Sequence, residues 1–255
     1  MKSDQPFIPD ELLTFSWQLF DDFNQAALVR PSIPITYFGD SLAYARSPAR
    51  ITTVGLNPSR REFPLADRFM RFPSARPSNG NHGARDPGTH REALDSYFRN
   101  RPYMAWFNAY ELLLQGIGAS YLPNARISAL HTDLCSPLAT DPTWNGLSGI
   151  QQASLEPGGA HLWHALLVAL EPQVIIASVA AHHLARIAFP KVSEASILMT
   201  IERANPFYVY QQRIQVGDTE SLLVWGRSAN RPFGTVSDLD RRRIGNAVAQ
   251  LLGNG

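Results

Sequence analysis

The chain has 255 residues, enough for one sizeable hydrophobic core and too few to require two domains. With 44% hydrophobic and 18% charged residues and a net charge of +1, it has an ordinary globular composition and no overall attraction to nucleic acid. The single cysteine, Cys135, excludes an intramolecular disulfide, a multi-thiolate zinc site and a cysteine-bound iron–sulfur cluster within one chain.

No apolar run approaches the roughly 20 residues that span a bilayer, and the first residues include acidic side chains where a secretory signal needs a basic flank. We therefore expect no membrane contact and a cytoplasmic location. Only Lys2 and Lys191 among the 23 basic residues are lysines; the others are arginines. Arginine suits bidentate phosphate contacts, although a GC-rich coding sequence is the simpler explanation of the bias.

The first half of the chain alternates helix and strand patterns. Apolar residues at three- and four-residue spacing predict an amphipathic helix over 11–29, and the segment ITTVG at 51–55 predicts a buried strand ending at a glycine. Pro, Gly, Ser, Asn and Arg dominate 71–90, which predicts a long flexible surface loop. Helical spacing returns at 103–117, and 125–134 predicts a strand that leads into a Cys-Ser-Pro turn.

The second half continues this alternation. A helix is predicted at 159–170, an apolar strand at 173–178 and a short helix at 179–188. Three strands and a closing helix then follow, at 196–202, 207–216, 221–225 and 237–252. The order predicts a three-layer αβα domain over 1–255 around a mainly parallel sheet, with an N-terminal helical extension over about 1–45. Ligands of such folds bind beyond the carboxyl ends of the strands.

Three segments with polar side chains follow predicted strands. The turn Gly55-Leu56-Asn57-Pro58-Ser59 lets backbone approach a ligand and stiffens at its proline, although an ordinary Asn-Pro turn has the same sequence. His131 and Asp133 stand at the end of the next strand, where a histidine is commonly structural. The third loop carries Ser228, Asn230 and Arg231 and is a candidate for phosphate contact. All three should meet at one edge of the sheet.

This order of strands and loops resembles the uracil-DNA glycosylase superfamily. The Gly-Leu-Asn-Pro-Ser turn is most similar to its mismatch-specific and single-strand-selective branches, whose first motif has Asn where the commonest branch has Asp. The resemblance extends from about 50 to 250 and implies that Asn57 orients a water for attack on the sugar carbon of a flipped-out nucleotide. Gly55, Leu56, Pro58 and Ser59 would line the base site.

The resemblance also implies roles for later residues. His131 falls where the family commonly has an Asn that reads the uracil edge, and Asp133 lies beside it. Phe63, Phe69 and Phe72 are the candidates for stacking on the base, and their spacing does not choose among them. In place of the family's last motif, Asn230 is the second candidate catalytic residue, with Ser228 beside it and Arg231 as a wedge or phosphate contact.

The expected function is hydrolysis of the N-glycosidic bond of a flipped, damaged base of the uracil type. The alternative is a catalytically inactive module of the same fold that binds nucleic acid or a nucleobase. Single- or double-stranded DNA is the expected partner, a monomer the expected state, and neither a metal nor another cofactor is expected.

Overall fold

The computed structural model describes residues 7–77, 83–228 and 231–253. Within these ranges the chain forms a single hydrophobic core built from seven helices and eight strands. The helices are α1 Asp10–Asp22, α2 Ser41–Arg46, α3 Pro87–Asp95, α4 Met104–Ile117, α5 Gly149–Leu170, α6 Ala181–Leu184 and α7 Asp238–Gly253. The strands are β1 Tyr37–Phe38, β2 Ile51–Gly55, β3 Ala119–Ser120, β4 Ile127–Asp133, β5 Val174–Ala177, β6 Ser196–Ile201, β7 Phe207–Val216 and β8 Thr219–Gly226.

The strands form one mixed sheet in the order β1-β4-β2-β5-β8-β7-β6, with β3 paired to β4. Strands β4, β2, β5 and β8 are parallel, whereas β1, β7 and β6 pair antiparallel to their neighbours. The α/β class is therefore confirmed, but parallel pairing is confined to the centre and the β3 edge. The flank is antiparallel because a two-residue turn with Gly217 at φ +56° connects β7 directly to β8, a connection that parallel strands cannot have.

Helices cover both faces of the parallel centre, which gives three layers. On one face, the Trp163 indole of α5 donates to the Thr132 hydroxyl of β4 at 3.0 Å. On the other face, Phe107 and Tyr110 of α4 pack on the ring of His131, the preceding residue of β4. Adjacent residues of a strand point to opposite faces, so α4 and α5 lie on opposite sides of the sheet.

Two helix boundaries differ from the sequence-based prediction by more than five residues. Helix α1 ends at Asp22 rather than at residue 29, and α5 begins at Gly149 rather than at residue 159. Ser148 and Gln151 form a capping box that starts α5 early, and the helix continues through Pro157, which lacks only one backbone donor.

The segment predicted as an N-terminal helical extension contains α1 and α2 but also β1, which pairs with β4. In the predicted loop over 71–90, a 3₁₀ turn spans Pro73–Ala75 and α3 begins at Pro87, while 78–82 lie outside the described residues. No helix in the described ranges is both long and apolar enough to cross a membrane.

Candidate active site

A cavity of about 120 Å³ opens where the strand order reverses, between the carboxyl ends of β2 and β5. Segments that follow β2, β4, β5 and β8 all contribute to its lining. Its volume is of the same order as the roughly 150 Å³ engineered cavity that binds benzene. One planar ring is therefore a suitable occupant.

Tyr110 of α4 holds the two strand ends together at this point. Its hydroxyl donates to the Val54 carbonyl at 2.7 Å and accepts from the Ser178 amide at 3.0 Å. Complete burial raises the pKa of Tyr110 far above its usual value, so the hydroxyl stays neutral. The Ser178 hydroxyl in turn accepts from the Phe233 amide at 2.8 Å, which ties the loop after β8 to the same edge.

The turn after β2 lines the cavity with all five of its residues, Gly55 to Ser59. Gly55 is required by close packing: a Cβ there would lie 2.3 Å from the Asp133 carboxylate and 2.9 Å from the His131 ring. The carbonyls of Leu56 and Pro58 accept from the amides of the 135–140 segment, and the Ser59 hydroxyl accepts from the Arg61 amide.

Hydrogen bonds to the surrounding protein occupy most of the Asn57 side-chain amide. Its Nδ2 donates to Pro58 O at 3.0 Å, Leu138 O at 3.2 Å and Thr140 Oγ1 at 2.8 Å. Its Oδ1 accepts from the Trp144 amide at 2.9 Å, which fixes the orientation of the side chain. Only the second lone pair of Oδ1 remains to accept a hydrogen bond from a ligand or water.

His131 lies within β4, two residues before its end, in an aromatic surrounding. Its Nδ1 is 2.7 Å from the Thr53 hydroxyl, which also contacts the Tyr121 hydroxyl. Its Nε2 is 3.7 Å from the Asp133 carboxylate. The ring is 1% exposed and packs on Phe38, among other aromatic side chains.

Asp133 is the last residue of β4 and pairs in register with Gly55. Its side chain is 5% exposed and lines the cavity. Among the described residues, no donor hydrogen-bonds to this carboxylate, and His131 is its nearest ionic neighbour. A buried carboxylate without donors is costly, which makes Asp133 the most conspicuous polar group of the site.

Glu62 is a second carboxyl group in the cavity that the sequence analysis does not identify. It ends the 3₁₀ turn Arg60–Glu62 that follows the motif, and it is 4% exposed. Burial raises its pKa to about 8, the Asp133 charge adds to the rise, and the Tyr97 hydrogen bond and the Arg71 charge oppose it. Glu62 is thus neutral at pH 7. Its position five residues after Asn57, in the same loop, is the one signal that points to it.

The aromatic side chains at the cavity are not those expected. Phe69 is buried away from it, and Phe63 stacks on Phe72 with ring centroids 5.2 Å apart in the core. The lining aromatics are Phe38, Trp106, Phe107 and Trp144. Two of them, Trp106 and Phe107, belong to a helical stripe whose spacing is typical of core residues.

Trp144 is the aromatic side chain of this lining that carries an unsatisfied donor. Its side chain is 1% exposed, and its indole Nε1 is buried without a hydrogen-bond partner among the described residues. Because the nitrogen itself is inaccessible, it is an unsatisfied donor beside the cavity and not a group that a ligand in the cavity would contact.

The loop after β8 is only partly described. Ser228 lines the cavity, and its amide donates to the Val179 carbonyl at 3.2 Å. Arg231 is exposed, lies outside the cavity lining, and accepts at its carbonyl from the Ser228 hydroxyl at 2.5 Å. Asn230 lies outside the described residues, so its expected catalytic role stays a prediction.

A groove that combines apolar walls with several arginines lies on the other side of the turn that carries Glu62, and it is called the basic groove below. Its charged residues are Arg30, Arg60, Arg61, Arg68, Arg71 and Asp141. Arg60 pairs with Asp141 at 3.0 Å, whereas Arg61 is exposed and stacks over Tyr103 without an ion pair in the described part of the chain. Four of the five arginines lie within residues 60–71, and the fold adds Arg30 to them from the segment after α1.

In the described ranges, no group of three or more His, Cys, Asp or Glu side chains is arranged to hold a metal ion. The chain matches no protein-family model and no curated protein. Inference about its activity therefore depends on the cavity itself.

Proposed function

We propose that the chain is a uracil-DNA-glycosylase-like protein that hydrolyses the N-glycosidic bond of a damaged base flipped into the cavity. The observation that carries the proposal is the cavity at the sheet's switch point: it has the size of one planar ring and is lined by the turn Gly55–Ser59 and by the polar end of β4. Aromatic walls and a few buried polar groups are what a site for a flipped base requires.

The basic groove supports a nucleic acid as the carrier of that base. Arg60 and Arg61 face the groove, while Ser59 and Glu62 of the same turn face the cavity. A strand whose phosphates contact the arginines is thereby brought next to the cavity, although the net charge of the whole chain is only +1.

In this proposal Asn57 has two tasks. Its amide protons hold the segment around Leu138 and Thr140 against the turn, and its Oδ1 keeps one lone pair that can orient a water. An amide is not a base, so Asn57 contributes orientation and not proton abstraction.

The alternative, a binding module without chemistry, is favoured by the same side chain. Three hydrogen bonds occupy the Asn57 amide nitrogen and one occupies its oxygen, as in a purely structural turn. Such a module would bind a base in the cavity and release it unchanged.

A base-excision assay separates the two functions. Labelled single- and double-stranded oligonucleotides, each with one uracil, hypoxanthine or xanthine, are incubated with excess protein and scored for alkali-labile breaks. We expect breaks at one or more damaged bases and none in the undamaged oligonucleotide. Salt-dependent binding without any break contradicts hydrolysis and supports the binding module, and absence of both binding and breaks contradicts both functions.

A further inference from the structure

Two carboxyl groups share the cavity, and neither is one of the first-motif residues to which the resemblance assigns chemistry. Glu62 comes from the turn after β2 and Asp133 from the end of β4, and both line the cavity. Their separation in the sequence is 71 positions, so only the parallel pairing of β2 with β4 brings them together.

The contacts of Glu62 assign its acidic proton to Oε1, because both neighbouring groups lie at Oε2. Tyr97 accepts at its hydroxyl from the Tyr103 amide at 3.0 Å, so its own proton goes to Glu62 Oε2. The nearest cation, Arg71 Nε, is also closest to Oε2, at 3.9 Å. In the described part of the chain Oε1 has no partner, which leaves it as the site of the acidic proton.

Asp133 is suited to accept a proton, whereas Glu62 is suited to donate one. No described donor stabilises its charge through a hydrogen bond, and its only ionic neighbour is the His131 ring at 3.7 Å. A carboxylate in this condition is a strong acceptor for the proton of a water or of a ligand N–H.

We propose that Glu62 and Asp133 form an acid–base pair that carries out the hydrolysis, an inference that rests on the proposed function. A water gives one proton to Asp133 while its oxygen forms a bond to the sugar carbon. The carbon–nitrogen bond breaks, its electron pair passes to the base, and Glu62 gives its proton to that base. The products are a neutral base and an abasic sugar with a hydroxyl group, and solvent returns the proton from Asp133 to Glu62.

The surroundings of Glu62 suit this role. Tyr97 and Arg71 stabilise the carboxylate left after proton transfer, and the Asp133 charge favours the neutral acid beforehand. The same Asp133 charge disfavours an anionic base in the cavity, which makes protonation of the leaving base advantageous. His131 is the remaining titratable group that lines the cavity near the pair.

The test compares single-turnover excision of uracil and 5-fluorouracil by wild type, Glu62→Gln and Asp133→Asn. Glutamine keeps an acceptor for Tyr97 but cannot transfer a proton, so uracil excision should fall by roughly 10²–10⁴-fold. 5-Fluorouracil is a more acidic leaving group that departs without a proton, so Glu62→Gln should excise it within about 10-fold of wild type. Asp133→Asn should lose activity on both substrates to a similar extent, because the water still needs a base.

Asp95→Asn is the matched control. Asp95 is a partly buried carboxyl bonded to a tyrosine hydroxyl, but it does not line the cavity, so both substrates should be excised at the wild-type rate. Circular dichroism checks that each variant is folded. A wild-type rate for Glu62→Gln on uracil overturns the acid–base pair and leaves the glycosylase intact. Failure of wild type on every substrate overturns the proposed function itself, and the pair with it.

The pH profile gives a second readout. Wild-type excision of uracil should decline above about pH 8, where Glu62 loses its proton. Excision of 5-fluorouracil should not show that decline. A common decline for both substrates contradicts an acid role for Glu62.

Discussion

Two regions of the molecule hold carboxyl groups that are wholly or partly buried, and they differ in the number of hydrogen bonds that these groups accept. Beside β1, Asp95 accepts from the Tyr37 hydroxyl at 2.9 Å, the Ser41 amide at 3.0 Å and the Ser41 hydroxyl at 3.1 Å. In the cavity, Glu62 accepts one hydrogen bond, from Tyr97, and Asp133 accepts none from the described residues. In the first region the protein itself supplies the hydrogen bonds that the carboxyl group needs. In the second region it does not.

The difference shows where a ligand would contribute to stability. A buried carboxyl with three donors is compensated by the fold itself, whereas one without donors costs free energy until another molecule supplies them. Burial alone therefore does not identify a site: Asp95 and Glu62 both have pKa values raised by burial, and only Glu62 lines the cavity.

The largest expected effect comes from a substitution that places an extra methyl group at the cavity. In Gly55→Ala the new Cβ would meet the Asp133 carboxylate at 2.3 Å and the His131 ring at 2.9 Å, so both side chains must move. A displacement on this scale should lower base excision by about 10²-fold or more. Single-turnover kinetics measures the loss.

Gly149→Ala is the control for that change. A Cβ on Gly149, at the start of α5, has no atom within 4 Å, so both fold and activity should be retained. Equal activity of the two alanine variants would show that the cavity is not the site of reaction.

The second prediction sharpens the comparison through stability. The ordinary pKa of a glutamate is 4.5 and that of Glu62 is raised to about 8, so the folded protein binds more protons between these values. The contribution of Glu62 to stability is thus most favourable below about pH 4.5 and is lost once the pH exceeds about 8. Glu62→Gln removes this dependence and should stabilise the protein at pH 8.5 by on the order of a few kcal/mol.

Asp95→Asn should change the stability in the opposite direction and destabilise the protein. Replacing one carboxylate oxygen with an amide nitrogen removes an acceptor from the Ser41 and Tyr37 donors, at a cost of roughly 1–3 kcal/mol. Urea unfolding of both variants at pH 5 and pH 8.5 makes the comparison. Destabilisation by Glu62→Gln at pH 8.5 would mean that the hydrogen bonds of the Glu62 carboxyl stabilise the fold, as those of Asp95 do.

The third prediction concerns Asn57, the central residue of the turn Gly55–Ser59. Asn57→Ala removes hydrogen bonds to Pro58, Leu138, Thr140 and the Trp144 amide. Loss of these partners should destabilise the protein by roughly 1–3 kcal/mol, seen as a lower urea midpoint. An unchanged midpoint would show that the turn does not depend on this amide, and any loss of activity in the variant must be judged against its stability.

Asn57 also illustrates what a sequence can predict here. The buried strand 51–55, the turn after it and the strand that ends at Asp133 are local patterns of apolar and polar residues, and the structure places all of them at one edge of the sheet. The pattern does not reveal that the amide of Asn57 bonds to a segment more than 80 residues away, because hydrogen-bond partners depend on the tertiary fold.

Local sequence patterns do not predict which aromatic and acidic residues line the cavity, for the same reason. Phe69 follows the motif at a plausible distance, yet it is buried elsewhere, while Trp144 reaches the cavity from the segment before α5. Glu62 resembles any exposed charge in the run Arg60-Arg61-Glu62, and only its packing against Tyr97 shows that it is buried. Periodicity predicts elements, but it does not predict which loops meet.

The smallest expected effect extends the comparison to the surfaces beside the two regions. Arg61 lies in the groove next to the cavity, whereas Arg126 is exposed just before β4, at the opposite edge of the sheet and next to the depression that Asp95 lines. If a nucleic acid strand follows the groove, Arg61→Ala should weaken binding severalfold and reduce the slope of log K against log salt by about 1, while Arg126→Ala should change neither. Fluorescence anisotropy with a labelled single-stranded oligonucleotide at several salt concentrations measures both slopes. Equal slopes for the two variants would place the strand away from the groove, because only a side chain that contacts a phosphate releases its counterion.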